Sequence, residues 1–222
     1  MPAVIFDCDG VLVDTESMSA RAWREVTGRY GYPWSDEDTT AALGRSEMDT
    51  YLLVAGRVRD GRSVDGRLVD ARHEFPAAAD FLPELEELRA ELIRQDLPVF
   101  PDAVAAVRGL VMNGVPLGVA SSSSSASLRL KLGESGLAPF FDAVAAGDEV
   151  AAAKPAPDVY LLVAGRLGVD PATCLAVEDT EVGATAADAA GMRVAIVVRD
   201  GGLVPGRTTV SSLDSDLLAA WL

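Results

Sequence analysis

Histidine is almost missing from this chain: His73 is the only one in 222 residues. That excludes serine–histidine triads, two-histidine zinc sites and phosphohistidine chemistry, and leaves acid/base work to carboxylates. Cysteine is nearly as scarce. Cys8 and Cys174 are too few for a disulfide framework or a thiolate zinc cluster, so both are expected to be structural, in a reducing compartment. No apolar run reaches the roughly 18 residues a membrane span needs, and the opening MPAVIFDCDG brings acids in before a signal-peptide core could form. A cytoplasmic protein without a membrane partner is expected. Positive charge is short as well, with 19 Lys and Arg against 34 Asp and Glu and a formal charge of -15, a field that repels nucleic acid. Nucleotide cradles of the GxGxxG and GxxxxGK[ST] types and the GxSxG elbow are absent, and Gly133-Glu134-Ser135-Gly136 has the wrong spacing for the last of these.

What is present is an ordinary globular composition, 49% hydrophobic and 24% charged, long enough for one good core plus a smaller appended domain. Five short β-branched or Ala/Val-rich runs read as buried strands: Val4 to Phe6, Pro116 to Ala120, Ala143 to Ala145, Leu175 to Val177 and Val194 to Val198. Helical patterns separate them at Ala103 to Met112, Ser127 to Ser135, Val159 to Leu167 and Val182 to Ala190. The alternation predicts an α/β fold, a Rossmann-like parallel sheet covered on both faces. The interval after the first strand differs, holding helix-like stretches (Met18 to Tyr30, Met48 to Arg57, Arg67 to Phe75, Leu82 to Arg94) and no strand. It predicts an inserted, small all-helical cap domain over 15–94, hinged on a core made of 1–14 and 95–222.

Four polar clusters fall at predicted strand ends: Asp7-Cys8-Asp9-Gly10, Ser121-Ser122-Ser123, Lys154-Pro155 and Glu178-Asp179. In an open parallel sheet that edge is where ligands bind. Alternate residues of a strand end point the same way, so Asp7 and Asp9 would share one small volume while Cys8 faces the packing side. At about 4 Å and an effective dielectric near 20, each like-charge pair costs on the order of 4 kcal/mol, so a divalent cation is implied. All-oxygen ligation fits magnesium better than zinc. Asp7 becomes a candidate nucleophile toward phosphorus, with Lys154 as the neutralising cation, held before a helix that Asp158 would cap. Lys131, the only other lysine, is expected to be a solvated surface residue. Ser121 ends its strand, and Ser122 and the serines after it open a helix whose free N–H groups suit a phosphate oxygen; Ser124 and Ser125 are expected only to cap.

The four clusters, in order, resemble the four motifs of the haloacid-dehalogenase-like hydrolases: Asp7-Cys8-Asp9-Gly10-Val11-Leu12-Val13-Asp14-Thr15-Glu16, Val119-Ala120-Ser121, Lys154-Pro155-Ala156-Pro157-Asp158 and Val177-Glu178-Asp179-Thr180-Glu181-Val182-Gly183. The resemblance implies an aspartyl-phosphate on Asp7, with Asp9 as the acid that protonates the leaving oxygen and the base that then activates water. It implies magnesium held by Asp7, the Asp9 main-chain carbonyl, Asp179 and Glu178, and a phosphoryl group bound by Ser121 and Lys154. The helical insertion is similar to the cap of the subfamily that holds phosphoglycolate phosphatases, β-phosphoglucomutases and sugar-phosphate phosphatases. Gly44-Arg45-Ser46-Glu47 resembles that subfamily's substrate loop, which offers Gly44 and Arg45 as substrate contacts, and Glu16 either faces the site or caps the first cap helix.

Departures narrow the choice. Family dehalogenases lack the second aspartate, so Asp9 speaks for phosphoryl chemistry, and a cap without lysine speaks against a Schiff-base phosphonatase. The histidine common in the first cap helix of the mutases falls on Ser19, which weakens a mutase without removing it. A phosphatase acting on a small phosphorylated metabolite is expected. A sugar-phosphate mutase and a catalytically silent binding protein are the alternatives. Arg57, Arg59, Arg62 and Arg67 alternate with acids and read as a solvated loop, His73 as structural, and Trp23 and Trp34 as cap core. No heptad or large exposed apolar stretch calls for a partner, so a monomer is expected, with a dimer left open.

Overall fold

A computed structural model of the chain describes residues 2–42, 45–61, 75–199 and 204–221. The chain divides into two compact units, Met1–Thr15 with Leu97–Leu222, and Glu16–Asp96. Strand β1 (Val4–Phe6) opens the sheet unit. Helices α1 (Thr15–Arg29), α2 (Asp36–Ala42), α3 (Glu47–Arg59) and α4 (Ala78–Asp96) follow. The chain then returns to the sheet unit with α5 (Pro101–Met112), β2 (Leu117–Ala120), α6 (Ser125–Glu134), β3 (Ala143–Ala145), α7 (Asp158–Leu167), β4 (Leu175–Glu178), α8 (Glu181–Ala189), β5 (Arg193–Val197), β6 (Thr209–Val210) and α9 (Ser215–Ala220).

The sheet runs β3-β2-β1-β4-β5-β6 and every neighbouring pair is parallel. It is the Rossmann-like architecture that strand and helix alternation predicted. The pleat splits each strand between two cores. Val4, Phe6, Leu117, Val119 and Leu175 pack with Val107 and Leu110 of α5 and Leu128 and Leu132 of α6. Ile5, Ala120 and Ala176 face the other way, onto Val159, Tyr160 and Val163 of α7 and Ala186 and Ala187 of α8. Because β1 is buried throughout at the centre, pairing Phe6 with Val119 and with Val177, the ends of β1, β2 and β4 arrive in register.

The five anticipated strands all form; β6, two residues on the far edge, was not anticipated because so short a run carries no period. Helix α6 begins two residues earlier than expected, since Ser124 caps it by accepting from the Ser127 N–H.

In the helical unit, α2 was also unanticipated. Its start is a reciprocal cap: Ser35 Oγ accepts from the Asp38 N–H while Asp38 Oδ2 accepts from the Ser35 N–H. The other Asp38 oxygen is buried against Tyr32 and Arg57. Arg57 therefore belongs to a buried ion pair rather than to a solvated loop. Burial and the Asp38 carboxylate push the Tyr32 hydroxyl up to about 12. Trp23 and Trp34 do serve as core, stacked at 5.1 Å, with Phe81 5.3 Å from Trp23. The expected helix Arg67 to Phe75, with Arg62 and His73, falls on 62–74 and lies outside the described residues apart from Phe75. Among the described residues no helix is long and apolar enough to cross a membrane.

Candidate active site at the carboxyl edge of the sheet

Immediately after β1 the chain turns back on itself. Asp7 N–H donates to the Val177 carbonyl at 2.8 Å, extending the β1 to β4 ladder by one residue, and the Leu12 N–H returns to the Cys8 carbonyl at 2.9 Å. Cys8 is thereby driven into the core, fully buried, and burial raises its thiol well above the ordinary range. Gly10 sits at φ +75°, where a side chain is strained, and a Cβ there would strike the Asp179 carboxylate. Gly183 has the same function on the other side, since a Cβ would meet the Glu178 carboxylate.

Asp7 is 6% exposed and Glu178 1% exposed. Lys154, from the loop before α7, lies between them. Its Nζ donates to Asp7 Oδ1 at 2.6 Å, to Glu178 Oε1 at 2.6 Å and to the Ala120 carbonyl at the end of β2 at 2.9 Å. Burial opposes its charge, but Asp7 and Glu178 outweigh that and hold its pKa above the usual lysine value. Asp158, expected to cap α7, instead accepts from the Ala152 N–H at 3.3 Å and braces the lysine's loop. Tyr160, whose hydroxyl donates to Glu178 Oε1 at 2.6 Å, completes the group, with its ring 4.9 Å from Lys154 Nζ. Burial, then Glu178 and Asp7, raise the Tyr160 hydroxyl, so it remains a donor.

Oxygens of Asp7, Glu178 and Asp179 lie within 4.8 Å of one another, a group able to hold a metal ion. Burial raises the Asp7 carboxyl well above its ordinary value; Lys154 opposes this, while Glu178, Asp179 and Asp9 add to it. A further cation would relieve that crowding. The donor set is entirely oxygen, with space kept by two glycines, which suits magnesium.

Asp9 lies close enough to Asp7 to add to the charge that raises its carboxyl, and it has donors of its own. Its carboxylate is taken up by three donors: Thr15 Oγ1 at 2.7 Å and Lys131 Nζ at 2.6 Å on Oδ1, and Ser123 Oγ at 2.9 Å on Oδ2. Burial would raise the Asp9 carboxyl, but Lys131, Thr15 and Ser123 hold it below the usual carboxylate range. Lys131 is thus not a solvated residue: its side chain is 6% exposed. In the folded chain Lys131 shares the inward stripe of α6 with Leu128 and Leu132, a face the sequence does not mark because Leu130 on another face is equally apolar.

Ser121 is fully buried one residue beyond β2, its Oγ accepting from the Ser123 N–H at 3.1 Å. Ser122 is exposed, its carbonyl packed where a Gly147 side chain would be. In the helical unit, Glu16 and Arg45 line one pocket of about 190 Å³ together with Ser19, Trp23, Trp34 and Glu47. Arg45 Nε donates to the Ala41 carbonyl at 2.7 Å, and Glu16 lies in the first turn of α1. Gly44 lies outside the described residues.

The model of haloacid dehalogenase-like hydrolases matches residues 1–191. Fructose-1-phosphate phosphatase YqaB of Escherichia coli is 35% identical over 189 residues, covering 85% of this chain and 92% of that protein. Hexitol phosphatase B of Escherichia coli is 32% identical over 197 residues, 88% of this chain and 82% of that protein. Among solved structures, a HAD family hydrolase from Deinococcus radiodurans with bound phosphate and sodium superimposes with a TM-score of 0.73 at 27% identity, covering 98% of this chain and 93% of that one.

Proposed function

The chain belongs to the haloacid dehalogenase-like hydrolases and is a phosphoric monoester hydrolase; on that premise we propose a magnesium-dependent phosphatase of small phosphorylated metabolites, sugar phosphates foremost, working through an aspartyl-phosphate on Asp7. The observation that carries this reading is the Asp7 carboxylate, buried at the end of the central strand with Lys154 on one oxygen. The names of the two Escherichia coli relatives support the choice of sugar phosphates.

Asp7, Glu178, Asp179 and the Asp9 main-chain carbonyl would hold magnesium, which supplies positive charge to the phosphate oxygens and to the crowded carboxylates. The other oxygen of Asp7 attacks phosphorus. As that bond forms, the ester P–O bond breaks and Asp9, which must first take up a proton from solvent against the pull of Lys131, Thr15 and Ser123, gives it to the departing alkoxide. Asp9 then takes a proton from water, whose oxygen attacks phosphorus and breaks the Asp7 acyl phosphate. Lys154 and Ser121 bind the phosphoryl oxygens, with Ser122 at the mouth, and Lys154 keeps its charge because two carboxylates flank it. The helical unit acts as the cap and sets selectivity through Glu16, Gly44 and Arg45.

A panel of phosphorylated metabolites with magnesium tests the reading when free phosphate and isomerised product are scored separately. Stoichiometric phosphate is expected. Isomerised sugar phosphate without phosphate release would replace the phosphatase with a mutase. No turnover of any substrate, p-nitrophenyl phosphate included, would leave a silent binding protein.

A further inference from the structure

Seventeen of the 19 basic residues are arginines, and the two lysines are each buried against a different aspartate of the first motif. Lys154 holds Asp7 and Lys131 holds Asp9, at 2.6 Å in both cases. Nothing in the four motifs calls for the second pair, since Lys131 lies ten residues beyond Ser121, in the second turn of α6.

The partners of Asp9 are unequally shared. Oδ1 receives both the Lys131 ammonium and the Thr15 hydroxyl. Among the described residues Oδ2 receives only Ser123 Oγ, and that hydroxyl is itself occupied by Lys131 Nζ at 2.8 Å, which commits its proton to Asp9. One ammonium therefore fixes both ends of the carboxylate, directly on Oδ1 and through a serine on Oδ2. An ammonium has three protons and no acceptor, so it sits permanently on the donor side of this arrangement. Oδ1 is saturated by charge-assisted and hydroxyl donors, while Oδ2 faces one neutral hydroxyl, a partner that a leaving-group oxygen or a water can displace.

We propose that Lys131, assisted by Ser123, is a positioning residue that holds the Asp9 carboxylate in one orientation and reserves Oδ2 as the oxygen that passes the proton to the leaving group and takes it back from water. The proposal rests on the acid/base reading of Asp9 given above. It predicts that losing Lys131 harms the protonation of poor leaving groups and spares substrates whose leaving group departs unassisted.

The test compares kcat/KM for an alkyl phosphate, the best sugar phosphate of the panel, with kcat/KM for p-nitrophenyl phosphate in Lys131→Met, Ser123→Ala and Asp9→Asn, with magnesium saturating. General acid/base contributions run from about 10² to 10⁴, so Lys131→Met is expected to lose roughly 10²-fold on the alkyl phosphate and less than about fivefold on the aryl phosphate. Ser123→Ala, a smaller change that decides the matter if the lysine variant does not fold, is expected to lose about tenfold with the same bias. Equal losses on both substrates, or none, in the variants that fold would overturn the positioning role. Asp9→Asn separates the two layers. If it shows the leaving-group bias while Lys131→Met and Ser123→Ala do not, only the positioning role falls. If it shows no bias either, the acid/base reading beneath it falls too.

Discussion

At the carboxyl edge of the sheet, Asp7, Lys154 and Glu178 are buried against one another within hydrogen-bonding distance, whereas in the pocket of the helical unit Glu16 and Arg45 stand exposed beside two stacked indoles. The first region has its side chains locked by packing, by Tyr160 and by main-chain carbonyls. The second keeps its charges at the surface, Arg45 resting on the Ala41 carbonyl of α2. Groups fixed in advance stabilise developing charge without reorganising, which suits chemistry common to every substrate. Exposed groups on an aromatic floor lose less when a ligand changes, which suits selection among substrates. The contrast extends to electrostatics, since a pair at 2.6 Å out of water is worth far more than one facing solvent.

The comparison predicts a graded series. Asp7→Asn carries the largest effect: an amide is no nucleophile, so kcat should fall by on the order of 10⁵-fold or more in a phosphate-release assay, and near-normal turnover would remove the covalent route. Lys154→Met comes next, with a loss of about 10³-fold on alkyl and aryl phosphates alike, because in the proposed mechanism it binds the phosphoryl group rather than the leaving group. A bias between those two substrates would instead place it with Lys131.

Tyr160→Phe removes only the hydroxyl that orients Glu178. Magnesium affinity, titrated through activity, should weaken by about tenfold with kcat nearly kept at saturation. An unchanged titration would make the tyrosine a packing residue alone. Arg45→Ala should be the mildest, raising KM for the preferred sugar phosphate several-fold, by on the order of 1 kcal/mol, with kcat little changed. A drop in kcat as large as that of Lys154→Met would erase the distinction between the two regions.

Much of this was readable in advance where the chemistry is local. Strand ends at Phe6 and Ala120, and at Val177 one residue short of the end of β4, follow from short apolar runs stopped by polar residues, and parallel pairing then brings Asp7, Ser121 and Glu178 to one edge. What escaped was everything that depends on which way a helix is turned. Lys131 looks like any solvated lysine until α6 is rotated so that Leu128 and Leu132 face the core. Tyr160 falls within a helix the sequence predicts, with nothing to mark it as a donor to Glu178, 18 residues away, and Arg57 is legible as charge but not as the partner of a buried Asp38. Helix α2 and strand β6 are too short for periodicity to reveal.

Residue types and their spacing alone determined that the sheet is parallel and that Asp7, Ser121 and Asp179 follow strand ends, because each depends on neighbours within one element, whereas Lys154 lies nine residues beyond β3, in the loop before α7. Only the folded chain decided that Asp7 and Asp9, two residues apart, would be held by separate lysines 23 residues apart in sequence. Those pairings cross between elements, and their strength comes from burial, which no stretch of sequence possesses until the sheet and its helices have closed around it.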